Sequence, residues 1–235
     1  MSTTPTIVLV HGAFGDSSMW RGVVAKLQKQ GYDVVAAANP LRGLESDAQY
    51  VATVTKAVDG PVVLVGHSYA GAVITCAARE ASNVDALVYV AAFQPDEGES
   101  ALENAFRFPG AKMGPDTTTV TEYDGEPELR ILPQHYQDVI AGDLPAETTD
   151  VLAVTQRPVR QQALTAELSG QPAWRTLPSW ALIATHDNAI PAQAQEFMAE
   201  RAGSHIVRAE ASHAASISQP DTVADLIIEA AKATR

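Results

Sequence analysis

An apolar, β-branched run, Val62-Val63-Leu64-Val65, breaks at Gly66-His67-Ser68-Tyr69-Ala70-Gly71 and gives way to a helical pattern, Ala72-Val73-Ile74-Thr75-Cys76-Ala77-Ala78. A strand that runs straight into a helix needs a very tight turn, and the residue at its apex is held in a strained backbone conformation with its side chain presented above the sheet. Small neighbours are a steric requirement there. Ser68 occupies the apex, in a Gly-x-Ser-x-Ala pattern with Gly71 one place late. A serine between small residues says little alone, but the strand before it and the helix after it make Ser68 a candidate nucleophile.

The rest of the chain repeats that strand-to-helix rhythm. Strand patterns fall at residues 6–10, 33–37, 61–65, 86–91, 180–184 and 205–209. Amphipathic helices are expected at about 17–30, closed by Gly31, and 46–58, closed by Gly60; others start after Ser68, at Pro191 and at Pro220. Such alternation predicts an α/β class fold, with a six-stranded, mostly parallel sheet flanked by helices. The rhythm fails between Pro95 and Leu177, where the chain is acidic and punctuated by Pro and Gly. A hairpin is expected at 117–131 around Asp124-Gly125, then short helical stretches over 134–169. The sheet resumes afterwards, so 95–177 reads as an inserted cap, or lid, on a core built from 1–94 and 178–235, within a single domain.

Charge and cysteine usage narrow the function classes. A chain of 235 residues, 46% of them apolar, can bury a substantial core as one domain. The net charge of −12 makes nucleic acid or an anionic membrane an unfavourable partner, and −10 of it lies between Pro95 and Asp150, where 13 acidic residues face three basic ones. Cys76 is the lone cysteine, which excludes an internal disulfide, and its apolar helical setting makes it a packing residue. The amino terminus, Met1-Ser2-Thr3-Thr4-Pro5-Thr6, has no basic region, and the apolar run Ile7-Val8-Leu9-Val10 is too short for a signal peptide. No run reaches membrane-spanning length, so a soluble, cytoplasmic protein is expected.

A serine nucleophile requires a base, an orienting acid and an oxyanion hole. An isolated loop histidine is ordinarily solvated, but His213, in Glu210-Ala211-Ser212-His213-Ala214, follows the last strand and precedes the last helix, where the base belongs in the chain order Ser, acid, His. For the acid, Asp187 lies at a strand end running into the helix at Pro191, on the carboxyl edge of the sheet. Asp96, after the fourth strand, is its rival; either aspartate also suits a turn or helix cap. One oxyanion donor is expected from the Tyr69 N–H. The other should come from the loop His11-Gly12-Ala13-Phe14-Gly15-Asp16, from Phe14 or Ala13, while His11 braces that loop. The histidines show no ligand spacing, so neither metal nor cofactor is expected.

On His11-Gly12-Ala13, Gly66-His67-Ser68-Tyr69, Val90-Ala91-Ala92-Phe93-Gln94-Pro95-Asp96, Asp187-Asn188-Ala189-Ile190-Pro191 and Ser212-His213, the chain resembles the α/β-hydrolase fold family over essentially its whole length. It is most similar to the small single-domain group of plant methyl esterases, hydroxynitrile lyases and bacterial esterases. The resemblance implies that Ser68, Asp187 and His213 are nucleophile, orienting acid and base, that the inserted segment caps the pocket, and that small esters or lactones are cleaved through an acyl-enzyme. Ala70 in place of a second glycine and His186 beside the acid depart from the family pattern.

Other chemistries remain open on the same residues. A cyanohydrin lyase of this group carries a lysine after the catalytic histidine; here that residue is Ala214. Cofactor-free oxidative chemistry uses the same three residues, and a non-catalytic receptor ordinarily lacks one of them. Phe14, Tyr69, Phe93 and His135, with Phe106, Phe108 and Tyr136, are candidate walls for a small-molecule substrate, and an acidic cap disfavours anionic ones. The oligomeric state is not legible.

Overall fold

In the computed structural model, which describes residues 4–234, every apolar run read as a strand joins one sheet. Residues 1–3 of the amino-terminal stretch, expected to carry no targeting signal, lie outside the described residues. Strand β1 (Thr6–Val10) leads through a 3-10 turn (Ser17–Trp20) into α1 (Arg21–Lys29), then β2 (Val34–Ala37), α2 (Leu44–Lys56), β3 (Val62–His67), α3 (Ala70–Ala77) and β4 (Val84–Val90). Between β4 and the next strand of the main sheet lie α4 (Ala101–Ala105), the hairpin β5 (Thr118–Tyr123) and β6 (Glu126–Ile131), α5 (Pro133–Val139), α6 (Ala146–Thr155), β7 (Val159–Arg160), α7 (Gln161–Thr165) and a second 3-10 turn (Ala173–Arg175). The core resumes with β8 (Ser179–Ala184), α8 (Ala192–Arg201), β9 (His205–Ala209), α9 (Ala215–Ser218) and α10 (Pro220–Ala233).

The main sheet runs β2-β1-β3-β4-β8-β9, and every pairing in it is parallel. Side chains alternate across it as the pleat demands. Ile7, Leu9, Val63 and Val65 face Trp20, Leu27 and Ile227 of the layer formed by the first 3-10 turn, α1 and α10, whereas Val8, Val10, Val62 and Leu64 face Val51, Val73 and Ile74 of α2 and α3. With both faces covered, each fully buried aliphatic side chain contributes about 1.5–3 kcal/mol relative to exposure. The chain passes from β1 outward to β2 and returns to β3 on the other side, so the strand order reverses between β1 and β3. Loops at the carboxyl ends of these two strands diverge and open a crevice, the place where α/β sheets bind ligands.

Local chemistry sets the element ends. Gly31 and Gly60 have φ of +83° and +97°, the left-handed conformation that closes a helix or turn. The first long helix splits where the sequence suggested continuity, because Asp16 accepts from the Ser18 N–H at 2.7 Å and starts a 3-10 turn first. Asp124 and Gly125, at φ +56° and +73°, form the two-residue turn of the β5–β6 hairpin. Strand β7 extends that hairpin to three strands, and helix α4 starts on a capping box between Ser100 and Glu103; neither was anticipated. Among the described residues, no helix is long and apolar enough to cross a membrane.

Candidate active site

Ser68 caps the carboxyl end of β3 with φ +55°, a left-handed conformation that costs a non-glycine residue about 1–3 kcal/mol. Hydrogen bonds on both sides hold it there. Its N–H donates to the Val90 carbonyl at 3.3 Å, and its carbonyl accepts from the Gly71 and Phe93 N–H groups at 2.9 and 3.1 Å. The late glycine has a steric reason: a Cβ on Gly71 would stand 2.1 Å from the Phe93 carbonyl oxygen, so the helix must pass the loop after β4 at backbone distance. Ala70 is fully buried and accommodated. Across the crevice, a Cβ on Gly12 would meet Ser68 Cβ at 2.6 Å, so the loop after β1 also needs a bare backbone.

The loops after β9 and β8 bring two more of the expected residues to Ser68. The Ser68 hydroxyl donates to His213 Nε2 at 2.8 Å, and His213 Nδ1 donates to Asp187 Oδ2 at 2.7 Å. All three are buried, at 6%, 3% and 6% exposure. Asp187 accepts four hydrogen bonds: Oδ1 from the Ala189 and Ile190 N–H groups, each at 2.8 Å, and Oδ2 from His213 and from Gln195 Nε2 at 2.8 Å. Bonded to Asp187 through Nδ1–H, His213 is fixed in the tautomer that leaves Nε2 free to accept. Gln195 is locked by accepting from the Ala184 N–H at 3.1 Å and donating to the Ile190 carbonyl at 2.7 Å. Nothing in the sequence marked it, since a glutamine on an amphipathic helix carries no motif. The rival Asp96 is paired with Arg175 at 2.6 Å, and His186 points its side chain to solvent.

Two further histidines brace the site as neutral rings. His67 Nε2 donates to the His213 carbonyl at 2.8 Å, its ring centroid lying 4.7 Å from that of His213. Burial, reinforced by the neighbouring imidazole, holds His67 well below the ordinary histidine range, so no second cation competes when His213 takes up a proton. His11 donates from Nδ1 to the Gly12 carbonyl at 2.9 Å, and burial lowers it to about 4. That fits the bracing role expected of it.

Phe14 sits at φ +60°, an unusual conformation for an aromatic residue, beside Ala13 in the loop over the crevice. Its carbonyl accepts from the Tyr136 hydroxyl at 3.4 Å. Neither the Phe14 nor the Tyr69 N–H is committed to a carbonyl among the described residues. A cavity of about 40 Å³ adjoins His213, walled by Ala13, Phe14, Tyr136, Ile140 and Leu152 among others. Five expected wall residues do not line it. The Tyr69 ring turns into the core and donates to Asp47 Oδ2 at 2.8 Å, Phe93 is packed beneath α3, and His135 lies half-buried on α5 outside the cavity. Phe106 is largely exposed, and Phe108 packs on Phe197.

Residues 7–226 match the family model described as the alpha/beta hydrolase family. The chain is 28% identical to an alpha/beta hydrolase of Aspergillus novofumigatus, across 97% of this chain and 96% of that protein. It is 24% identical to a putative chloroplastic methylesterase of Arabidopsis thaliana, across 97% of this chain and 64% of that protein. Its fold superposes on the crystal structure of a pyrethroid hydrolase from Sphingobium faniae with a TM-score of 0.80, at 22% identity, covering 97% of this chain and 98% of that one.

Proposed function

The chain belongs to the alpha/beta hydrolase family, and from that premise we propose that it is a carboxylic ester hydrolase with Ser68 as nucleophile, His213 as general base and acid, and Asp187 as orienting carboxylate. The observation that carries this reading is the unbroken run of hydrogen bonds from the Ser68 hydroxyl through His213 to Asp187, at 2.8 and 2.7 Å. Relatives named as a methylesterase and a pyrethroid hydrolase support the reaction class.

In the proposed reaction Ser68 Oγ attacks the ester carbonyl carbon while His213 Nε2 accepts the hydroxyl proton. The Phe14 and Tyr69 N–H groups stabilise the oxyanion, the latter aided by the amino end of α3. Collapse breaks the ester C–O bond, and His213 returns its proton to the leaving alcohol. Water, deprotonated by His213, then hydrolyses the acyl-serine. Residues 95–177 act as the lid, because α5, the residue that closes it and α6 supply the cavity walls Tyr136, Ile140 and Leu152 over a sheet that is otherwise complete. Their apolar character and the surrounding acidic charge favour small neutral esters or lactones.

A panel of short-chain esters and lactones, assayed with the wild type and Ser68→Ala, tests the reading. Turnover by the wild type and its loss by several orders of magnitude in a folded Ser68→Ala variant are expected. Equal turnover by both would overturn it, and binding without turnover by either would identify a receptor.

A further inference from the structure

The proposed base and acid sit on loops that leave different strands, β9 and β8, yet both loops are fastened to one stretch of the inserted segment, the turn closing α5. Asn188, next to Asp187, donates from Nδ2 to the Asp138 carbonyl at 2.8 Å, and its own carbonyl accepts from the Lys112 N–H at 2.7 Å. The His213 loop is held more closely. The Ser212 N–H donates to Asp143 Oδ2 at 3.0 Å, and the Ser212 hydroxyl donates to Asp143 Oδ1 while lying 3.1 Å from the Ile140 carbonyl oxygen. That same carbonyl accepts from the Ala214 N–H at 3.0 Å.

Asp143 therefore gives both of its oxygens to Ser212, the residue immediately before His213. It caps no helix: α6 starts at Ala146, with Pro145 as its N-cap residue and no side-chain cap bond. Asp143 lies at the surface whereas Ser212 and Ala214 are buried, at 4% and 1% exposure, so the carboxylate reaches inward to meet donors that no other described group satisfies as a pair. On the far side His67 holds the His213 carbonyl. The loop is thus pinned between the inserted segment and the strand that carries the nucleophile. Without Asp143, water can solvate the Ser212 N–H, but water does not fix the loop's distance from Ser68.

We propose that Asp143 is a positioning residue for His213, tying the loop of the base to the inserted segment so that the imidazole keeps hydrogen-bond distance to both Ser68 and Asp187. This rests on the reading of His213 as the base. Displacing a catalytic group by about 1 Å costs on the order of 100-fold in rate, and partial loosening of a loop costs less.

The test uses proton NMR of the whole chain. The His213 Nδ1–H, buried and bonded to Asp187, should exchange slowly and resonate far downfield; its assignment comes from its loss in His213→Gln. In Asp143→Ala this resonance should broaden or vanish, with kcat down by about 10-fold or more and KM nearly unchanged. Asp143→Asn, whose amide oxygen still accepts from the Ser212 N–H, should recover most of both. An unchanged resonance and kcat in folded Asp143→Ala, or an Asn variant no better than Ala, overturns the proposal. Should Asp143→Ala fail to fold, Ser212→Ala, which keeps the N–H bond but loses the hydroxyl link, must move both readings in the same direction, and no movement overturns it. A wild type that shows the resonance and turns over no ester overturns the ester-hydrolase reading instead, while the resonance still decides the role of Asp143.

Discussion

At the scale of single residues, the site depends on a few atoms held in conformations their residue types avoid. Ser68 and Phe14 are both left-handed, and the surrounding hydrogen bonds and close backbone contacts offset that strain. The elbow was legible because a serine apex with small neighbours between a strand and a helix admits few other folds. The meaning of Gly71 was not, since its requirement comes from the Phe93 carbonyl, a long-range contact no local pattern contains. The choice between Asp187 and Asp96 was equally undecidable from spacing; the loop geometry that sends one to His213 and the other to Arg175 separates them. Asp187→Asn should keep the shape but favour the wrong tautomer of His213, lowering kcat on the order of ten-thousandfold, as in serine proteases. Asp96→Asn should change kcat less than about threefold. Steady-state kinetics of the two variants checks this, and a reversed order would move the acid to the loop after β4.

The elements of the parallel core were legible almost to the residue because buried parallel strands are continuous apolar runs, and their helices close on glycine or open on proline. The inserted segment was legible only where local chemistry is strong. Asp124-Gly125 announced the hairpin, but β7 is two residues that pair only with β6, and its existence depends on tertiary context rather than on periodicity. Of the cavity walls from this segment Tyr136 was named in advance, whereas Ile140 and Leu152 were missed for the same reason: they read as ordinary residues of a helical stretch. Leu152→Ala removes a wall from a cavity of only about 40 Å³, so kcat/KM for esters with a larger acyl group should rise relative to acetyl esters, by about 10-fold for each added methylene accommodated. An acyl-chain series measures this. A uniform change along the series would place the acyl group elsewhere.

Across the whole molecule, stability and acidity are linked through groups buried in the neutral state. Burial lowers His11 from 6.5 to about 4. Between those values the unfolded chain binds a proton that the folded chain refuses, so stability present above pH 6.5 is lost as the pH falls toward 4, by about 3 kcal/mol for this residue. His67 acts in the same direction. Burial raises Glu99, but its bonds from Arg201, the Asp96 N–H and Asn104 together outweigh it and lower the group from 4.5 to about 2, so Glu99 contributes stability above pH 4.5 that is lost as the pH falls toward 2. Denaturation midpoints recorded against pH should therefore begin to fall near pH 6.5, well before the carboxylates titrate. A plateau reaching down to pH 5 would show that the two histidines are not held neutral.

The central claim is that Ser68 is activated by His213 for covalent attack. A fluorophosphonate probe, whose phosphorus takes the place of the ester carbonyl and stays on the attacking oxygen, tests it with no knowledge of the natural substrate. Intact mass spectrometry of the wild type should show one phosphonyl group per chain, mapped to the peptide bearing Ser68, with labelling slowed by orders of magnitude in His213→Gln and absent from that peptide in Ser68→Ala. A folded wild type that stays unlabelled, or a label on any other residue, would contradict the account.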